Sequence, residues 1–378
     1  MLDFPMHQSS VWTSLYCLFF YLIILLRYGI KSPYSVPLSA SRKNWALFVM
    51  AFFLITHCMK GDFFHMMHYV YDYSQDYESN FGEEIYSHIG LFVNKNYFLF
   101  RTIVWGGAFV LFCSTAKRLN ISVYYAALLL LLTHSVVFAY ARATAAMAVY
   151  FFGLSFLCKP LHRRWLSYAI AIILIVVSMA FHKSAVIMVV MTIMIFVPIR
   201  KWSVILLLLL LPALSMLFNK LLMVITMMET TDSAMAGKIE MYSERELVPG
   251  ISGYLINTLE YASFYVPAIL TSLCLLLKNR ISCVSVDLLR MYKVTIGLVL
   301  VSVIFFLMGS SYVTFGYRIL YMSMIPMTLV VVQLYQCNMM SRQFYLYCVY
   351  TGLSFMCVKY FYTVYVHIVN PNASDLVL

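Results

Sequence analysis

The amino-acid sequence predicts an all-α polytopic membrane protein, a single integral membrane domain over residues 1–378 with about twelve spanning helices. Three observations predict it. Of 378 residues, 63% are hydrophobic and only 11% charged, whereas a soluble domain carries about 25% charged residues. A mean hydropathy of +0.85 leaves too little polar surface to cover a soluble core, and 17% aromatic residues exclude a solvated, disordered chain. The apolar residues are also gathered into runs close to the ~20 residues that a spanning helix needs. The net charge of +11 could suggest a nucleic-acid partner. The rest of the composition argues for membrane lipid instead, and no nucleic-acid partner is expected.

The candidate spans, in order, are 11–29, 44–59, 97–115, 121–139, 143–158, 165–181, 183–199, 202–219, 253–277, 291–309, 317–336 and 343–367. The first run ends in Arg27, Tyr28 and Gly29 with no small-residue cleavage site, so it reads as a span and not as a secretory signal. The stretch 143–158 starts with polar and small residues and could instead be re-entrant.

Lysines and arginines orient these spans, because they collect in cytoplasmic loops. Arg27, Lys31, Arg42 and Lys43 follow the first span, then Lys117 and Arg118, then Lys159, Arg163 and Arg164, then Arg200 and Lys201. Lys278, Arg280, Arg290 and Lys293 mark the next inner turn, and Arg342 the last. These sixteen basic residues share the inner side with one acid, Asp287, while the other ten basic and fourteen acidic residues lie in the spans or outside. Both termini are therefore expected outside, with two sizeable outer loops, 60–96 and 219–252.

Basic residues on the wrong side of this pattern carry the functional information. Arg142 lies at the outer end between the fourth and fifth spans. His182 and Lys183 form an outer turn, and Arg318 opens the eleventh span. A cation at such depth faces a cavity or a partner. Arg142 and Arg318 are both expected in the first turn of a helix, where free backbone N–H groups and the dipole favour an anion. Two guanidinium forks on one face fit a phosphate or diphosphate. The competing readings are snorkelling to headgroups or pairing with Glu83 or Glu246. Arg101 and Glu260 also fall within spans and could pair with each other. Nine cysteines show no CxxC pair, and His65 and His68 lack a third ligand, so no metal site is expected. No Walker, Rossmann, kinase, GxSxG or HExxH pattern is present, and no cofactor is implied.

Four short motifs carry a family resemblance. Arg142-Ala-Thr-Ala-Ala-Met-Ala resembles the R-x-x-x-A element of the EpsG-like exopolysaccharide polymerases. Phe181-His182-Lys183-Ser184-Ala185 resembles that family's F-H-x-S-A element, Arg318-Ile-Leu-Tyr321 its R-x-x-Y element, and Glu83-Glu84-Ile-Tyr86 its E-x-x-Y segment. The resemblance spans roughly residues 45–335. The family's G-x-D-x-x-Y element is matched only in part, by Lys60-Gly61-Asp62-Phe63-Phe64-His65.

The resemblance implies a Wzy-type polymerase of O-antigen, capsule or exopolysaccharide repeat units, with a fold related to the GT-C glycosyltransferases. It implies undecaprenyl-diphosphate-linked glycans as substrates at the outer face of the bacterial inner membrane, and a chain-length regulator protein as a partner. The leaving lipid diphosphate needs charge stabilisation, which Arg142, Arg318 and Lys183 can supply. The acceptor hydroxyl needs a base, for which His182 is the first candidate and Glu83, Glu84 and Asp62 its competitors. Ser184, Tyr86 and Tyr321 would support the site, under the two outer loops. The alternatives are an O-antigen ligase or other lipid-linked glycan transferase, and then a flippase or transporter.

Overall fold

The computed structural model describes residues 84–132 apart from Lys95, 141–197 apart from Lys183, 209–217, 285–308 and 313–336, together with a few isolated positions. Among the described residues every element is a helix. In chain order these are α1 (Glu84–Phe92), α2 (Tyr97–Arg101), α3 (Gly107–Arg118), α4 (Val123–Leu132), α5 (Ala141–Cys158), α6 (Arg164–Phe181), α7 (Ala185–Met191), α8 (Val286–Leu307) and α9 (Val313–Gln336). A π-helical turn, Thr102–Gly106, joins α2 to α3, and a 3₁₀ turn, Thr192–Phe196, continues α7. Among the described residues, three helical stretches are long and apolar enough to cross a membrane: Leu99–Arg118, Arg164–Phe181 and Val286–Leu307.

Helix α5 is the centre of the bundle. It packs against the π turn, α3, α6, α7, α8 and α9. From Ala143 to Cys158 only Phe152 and Leu157 are even half-buried, and every other residue is buried. The stretch that the sequence left open to a re-entrant reading is one continuous helix of 18 residues. Its modest hydropathy has a packing cause. A helix surrounded by other helices needs small residues for close approach, and Ala143, Thr144, Ala145, Ala146, Ala148 and Gly153 supply them.

Helix α6 is organised the opposite way from a soluble helix. Its buried positions are Ser167, Ala171, Ile175 and Ser178, spaced for one helical face. Its exposed positions include Trp165, Tyr168, Ile172, Ile173 and Val176. Small and polar residues inside with large apolar ones outside is the pattern of a helix solvated by lipid. Gly153 of α5 sits at the crossing of the two helices. A Cβ added there would meet the Leu174 Cβ at 2.8 Å and the Ala171 carbonyl oxygen at 3.3 Å. Gly153→Ala should therefore lower stability by about 1–3 kcal/mol through overpacking, despite a helix-propensity gain of up to ~1 kcal/mol. At Gly107 a Cβ would meet nothing within 4 Å, so Gly107→Ala should be neutral or stabilising. Thermal midpoints of the two variants in detergent check this, and equal midpoints would refute the close α5–α6 crossing.

Helix ends differ from the expected boundaries where polar residues were taken for loops. Helix α8 begins at Val286, five residues before the predicted span. The Ser285 Oγ accepts the Leu288 N–H at 3.3 Å, and Asp287 stands in the first turn, both favourable at a helix N-terminus. Arg290 and Lys293, read as an inner turn, are therefore helical. Helix α9 likewise starts at Val313, four residues early, and runs through Pro326. The end of α3 follows local chemistry. Asn120 adopts φ 59°, the Ile121 N–H bonds the Ala116 carbonyl, and the Asn120 N–H bonds the Lys117 carbonyl. This paired C-terminal arrangement stops the helix and turns the chain into α4.

Candidate functional site

Hydrogen bonds sort the helix termini into two ends of the bundle. At one end four cations are engaged by hydrogen bonds. Arg118 donates from Nε to the Ser155 Oγ (3.1 Å) and from Nη2 to the Lys159 carbonyl (2.7 Å), with its guanidinium 3.7 Å from the centre of the Phe156 ring. Arg290 donates to the carbonyls of Leu157 (3.2 Å) and Cys158 (2.9 Å), and Lys293 to that of Ile195 (3.2 Å). The Lys159 Nζ donates to the Asn120 Oδ1 at 2.9 Å. Arg118 and Arg290 thus bond carbonyls at the C-terminus of α5, where partial negative charge accumulates. On the same end the Gln336 Oε1 accepts the Ser122 N–H at 3.2 Å, and Gln333 donates to the Ser285 Oγ at 3.3 Å. We call this the basic end.

The opposite end gathers the residues singled out in the sequence. Arg142 is the second residue of α5, within its first turn. The 171–175 segment of α6 packs against Gly153 of α5, and α6 turns back from the basic end, so the two helices run antiparallel. At about 1.5 Å rise per residue in each, this register brings the turn after α6, with His182, to roughly the depth of Arg142. His182 is half-buried and extended, and its carbonyl accepts the Ala185 N–H at 2.9 Å, which closes a tight turn into α7. The Ser184 Oγ in this turn is buried and has no hydrogen-bond partner among the described residues.

The neighbouring wall is aromatic. Tyr86 of α1 is fully buried, with its ring centre 5.8 Å from that of Phe181, edge-on, and 6.4 Å from that of Phe100. The E-x-x-Y and F-H-x-S segments, about 95 residues apart in sequence, therefore meet through Tyr86 and Phe181. Tyr86 serves this junction as a packing residue; its ring is not open to a sugar.

Arg318 requires a correction. It is the sixth residue of α9 and not in the first turn. Its backbone amide is spent within the helix, so the argument from free N–H groups and the helix dipole applies to Arg142 but not to Arg318. Helix α9 packs on α5 and, as a hairpin, on α8, where the Ser302 Oγ donates to the Gly316 carbonyl at 2.7 Å. Arg318 is half-buried, and Tyr321 stands one turn further along the same helix. Glu84 opens α1. Asp62, Glu83 and Lys183, like Glu260 and most of the loops 60–96 and 219–252, lie outside the described residues.

Residues 46–372 match the family model described as the EpsG family. The chain belongs to the EpsG family. No curated protein and no solved structure matches it. Family membership, together with the three long apolar helices, makes this EpsG-family chain a membrane protein of polysaccharide biosynthesis with a polymerase-type function, whose substrate class is lipid-linked glycan. The match covers all four motif segments. In this EpsG-family chain Arg142, His182 and Arg318 all sit toward the end of the bundle remote from Arg118, Lys159, Arg290 and Lys293. Arg101, for which the sequence left open a pair with Glu260, ends α2 directly before the π turn, is only 7% exposed, and lies 4.9 Å from the centre of the Trp105 ring.

Proposed function

We propose that this chain joins undecaprenyl-diphosphate-linked oligosaccharide repeat units into polysaccharide at the outer face of the bacterial inner membrane. The observation that carries the reading is the shared depth of Arg142 and His182, at the end of the bundle remote from the basic end. On the positive-inside rule the basic end faces the cytoplasm, which puts the reaction on the outer side. The remaining apolar runs complete a GT-C-like membrane domain of about twelve spans, and the loops 60–96 and 219–252 cover its outer end.

The chemistry follows from the residue types. An acceptor sugar hydroxyl attacks the anomeric carbon of the donor glycan. A new glycosidic C–O bond forms, the C–O bond to the lipid diphosphate breaks, and the hydroxyl proton passes to a base. The leaving diphosphate gains negative charge, which the guanidinium groups of Arg142 and Arg318, with Lys183, stabilise by directed hydrogen bonds. His182 takes the proton, and the buried Ser184 hydroxyl beside it lends a further hydrogen bond to substrate.

A strain deleted for the gene, with surface glycan resolved as a ladder on a gel, tests the assignment. Single capped repeat units without longer rungs are the expected result. Complete loss of surface glycan would instead assign the chain to ligation or to flipping.

A further inference from the structure

We infer that the basic end binds the phosphodiester of an anionic glycerophospholipid between the guanidinium groups of Arg118 and Arg290. The inference depends on the chain being a membrane protein and not on the reaction proposed for the opposite end. Its first support is uncompensated charge. Among the described residues this end carries Lys117, Arg118, Lys159, Arg163, Arg164, Arg290 and Lys293, and its one carboxylate is that of Asp287. No ion pair joins these cations to a carboxylate among the described residues. The acceptors they engage are neutral: the Ser155 hydroxyl, the Asn120 amide oxygen and the carbonyls of Leu157, Cys158, Lys159 and Ile195. A neutral acceptor satisfies a donor but leaves the charge in place, and a partly desolvated charge still calls for an anion.

The second support is the way the two arginines are held. Arg118 comes from α3 and Arg290 from α8, and they bond the carbonyls of consecutive residues, Lys159 and Cys158, at the end of α5. The helix terminus supplies only about half a negative charge against two full positive ones. Both side chains are half-buried, and the Arg118 guanidinium also lies on the Phe156 ring at 3.7 Å. They are thus fixed in place, which a mere orientation signal does not need. Arg118 spends Nε and Nη2 on its bonds, and Arg290 spends Nη1 alone. The Arg118 Nη1 and the Arg290 Nε and Nη2 remain for a further acceptor. A phosphodiester offers two unesterified oxygens, one for each guanidinium.

The third support is depth, and it selects a lipid over a free phosphate. Trp165, in the first turn of α6 beside Arg163 and Arg164, is 67% exposed, and tryptophan collects at the headgroup level of a bilayer. From there α6 exposes Tyr168, Ile172 and Val176 along its length, an apolar track for an acyl chain. Basic sites between spanning helices at this depth bind anionic headgroups.

The test is equilibrium binding of fluorescent phosphatidylglycerol to the full-length protein in a zwitterionic detergent, with fluorescent phosphatidylcholine as the comparison. Phosphatidylglycerol should bind about 10-fold more tightly. The double variant Arg118→Gln, Arg290→Gln should lose that preference, and Arg142→Ala, at the opposite end, should keep it. Unlabelled phosphatidylglycerol should displace the probe, while glycerol phosphate at the same concentration should not. Equal binding of the two lipids overturns the inference, and so does a preference that persists in a double variant with a wild-type melting temperature. A preference lost in Arg142→Ala and kept in the double variant moves the lipid to the other end and overturns it as well. Displacement by glycerol phosphate as effective as by the lipid makes this a free-phosphate site and overturns the lipid assignment.

Because Arg118 and Arg290 also tie helices together, two measurements do not depend on that double variant folding. Lys159→Gln disturbs only an exposed bond to Asn120 and should weaken phosphatidylglycerol by about 3–5-fold. In the wild-type chain, raising NaCl from ~0.1 M to ~1 M shortens the screening length from about 10 Å to about 3 Å and should erase most of the preference. A preference that is insensitive both to salt and to Lys159→Gln overturns the inference.

Discussion

Arg142→Ala should abolish long-chain polysaccharide while single repeat units still reach the surface, and Arg318→Ala should do the same. Removing one donor aimed at developing negative charge costs about 10²–10³ in rate, or ~3–4 kcal/mol. Polymerisation compounds that loss, because each added unit passes through the same transition state. The two variants should differ in kind. Arg142 stands in the first turn of α5, where the N–H groups and dipole of a helix N-terminus favour an anion, so Arg142→Lys should retain some polymer. Arg318 is in the second turn of α9 and acts through its side chain alone, so Arg318→Lys should be close to inactive. The measurement is a glycan ladder with the protein quantified by immunoblot. Normal chain lengths in both alanine variants, at normal protein level, would sink the diphosphate site.

His182→Ala should lower the polymerisation rate by about 10²–10⁴, the range of a positioned general base. The loss should appear in the turnover of a purified or membrane assay, with little change in the apparent affinity for the lipid-linked donor, because the base acts on the acceptor. Phe181→Ala is the companion variant. Its ring packs on Tyr86 at 5.8 Å, and truncating a buried aromatic costs about 3–5 kcal/mol, so it should reduce protein level as well as activity. Unchanged polymer in His182→Ala would assign the base to a carboxylate among Glu83, Glu84 and Asp62.

Several features of the fold were legible residue by residue. The end of α3 was marked by Lys117 and Arg118, and the structure adds Asn120 in the left-handed conformation that stops the helix there. The α6 span was legible as an apolar run because it faces outward, where lipid demands hydrophobicity. The same rule left α5 open to a re-entrant reading and missed the start of α8. Hydropathy reports what a residue would meet in lipid, and the residues of α5 meet other helices. Arg290 and Lys293 read as loop residues because a charge in a spanning helix is costly. The carbonyls of Leu157, Cys158 and Ile195 offset that cost, and no local signal shows a carbonyl more than ninety residues away.

The candidate site was legible in the same partial way. Arg142, His182 and Arg318 stood out because they break the distribution of charge. The meeting of Tyr86 with Phe181 was invisible, since no periodicity links residues about 95 positions apart. Arg101 was read as a residue that could pair with Glu260, and the packing of its guanidinium on Trp105 came only from the structure.

By itself, the sequence determined the solvent of this protein and the family it belongs to. Composition and charge distribution are properties of residues taken singly or in short runs, and the bilayer reads them in that form. Tertiary structure alone decided that a stretch of modest hydropathy is the central helix, that four basic-end cations bond to neighbouring chain segments, and that Tyr86 packs on Phe181. Those facts depend on helix register and depth. Close contacts between distant segments fix both, at Gly153 against Leu174, Arg118 against Ser155 and Ser302 against Gly316.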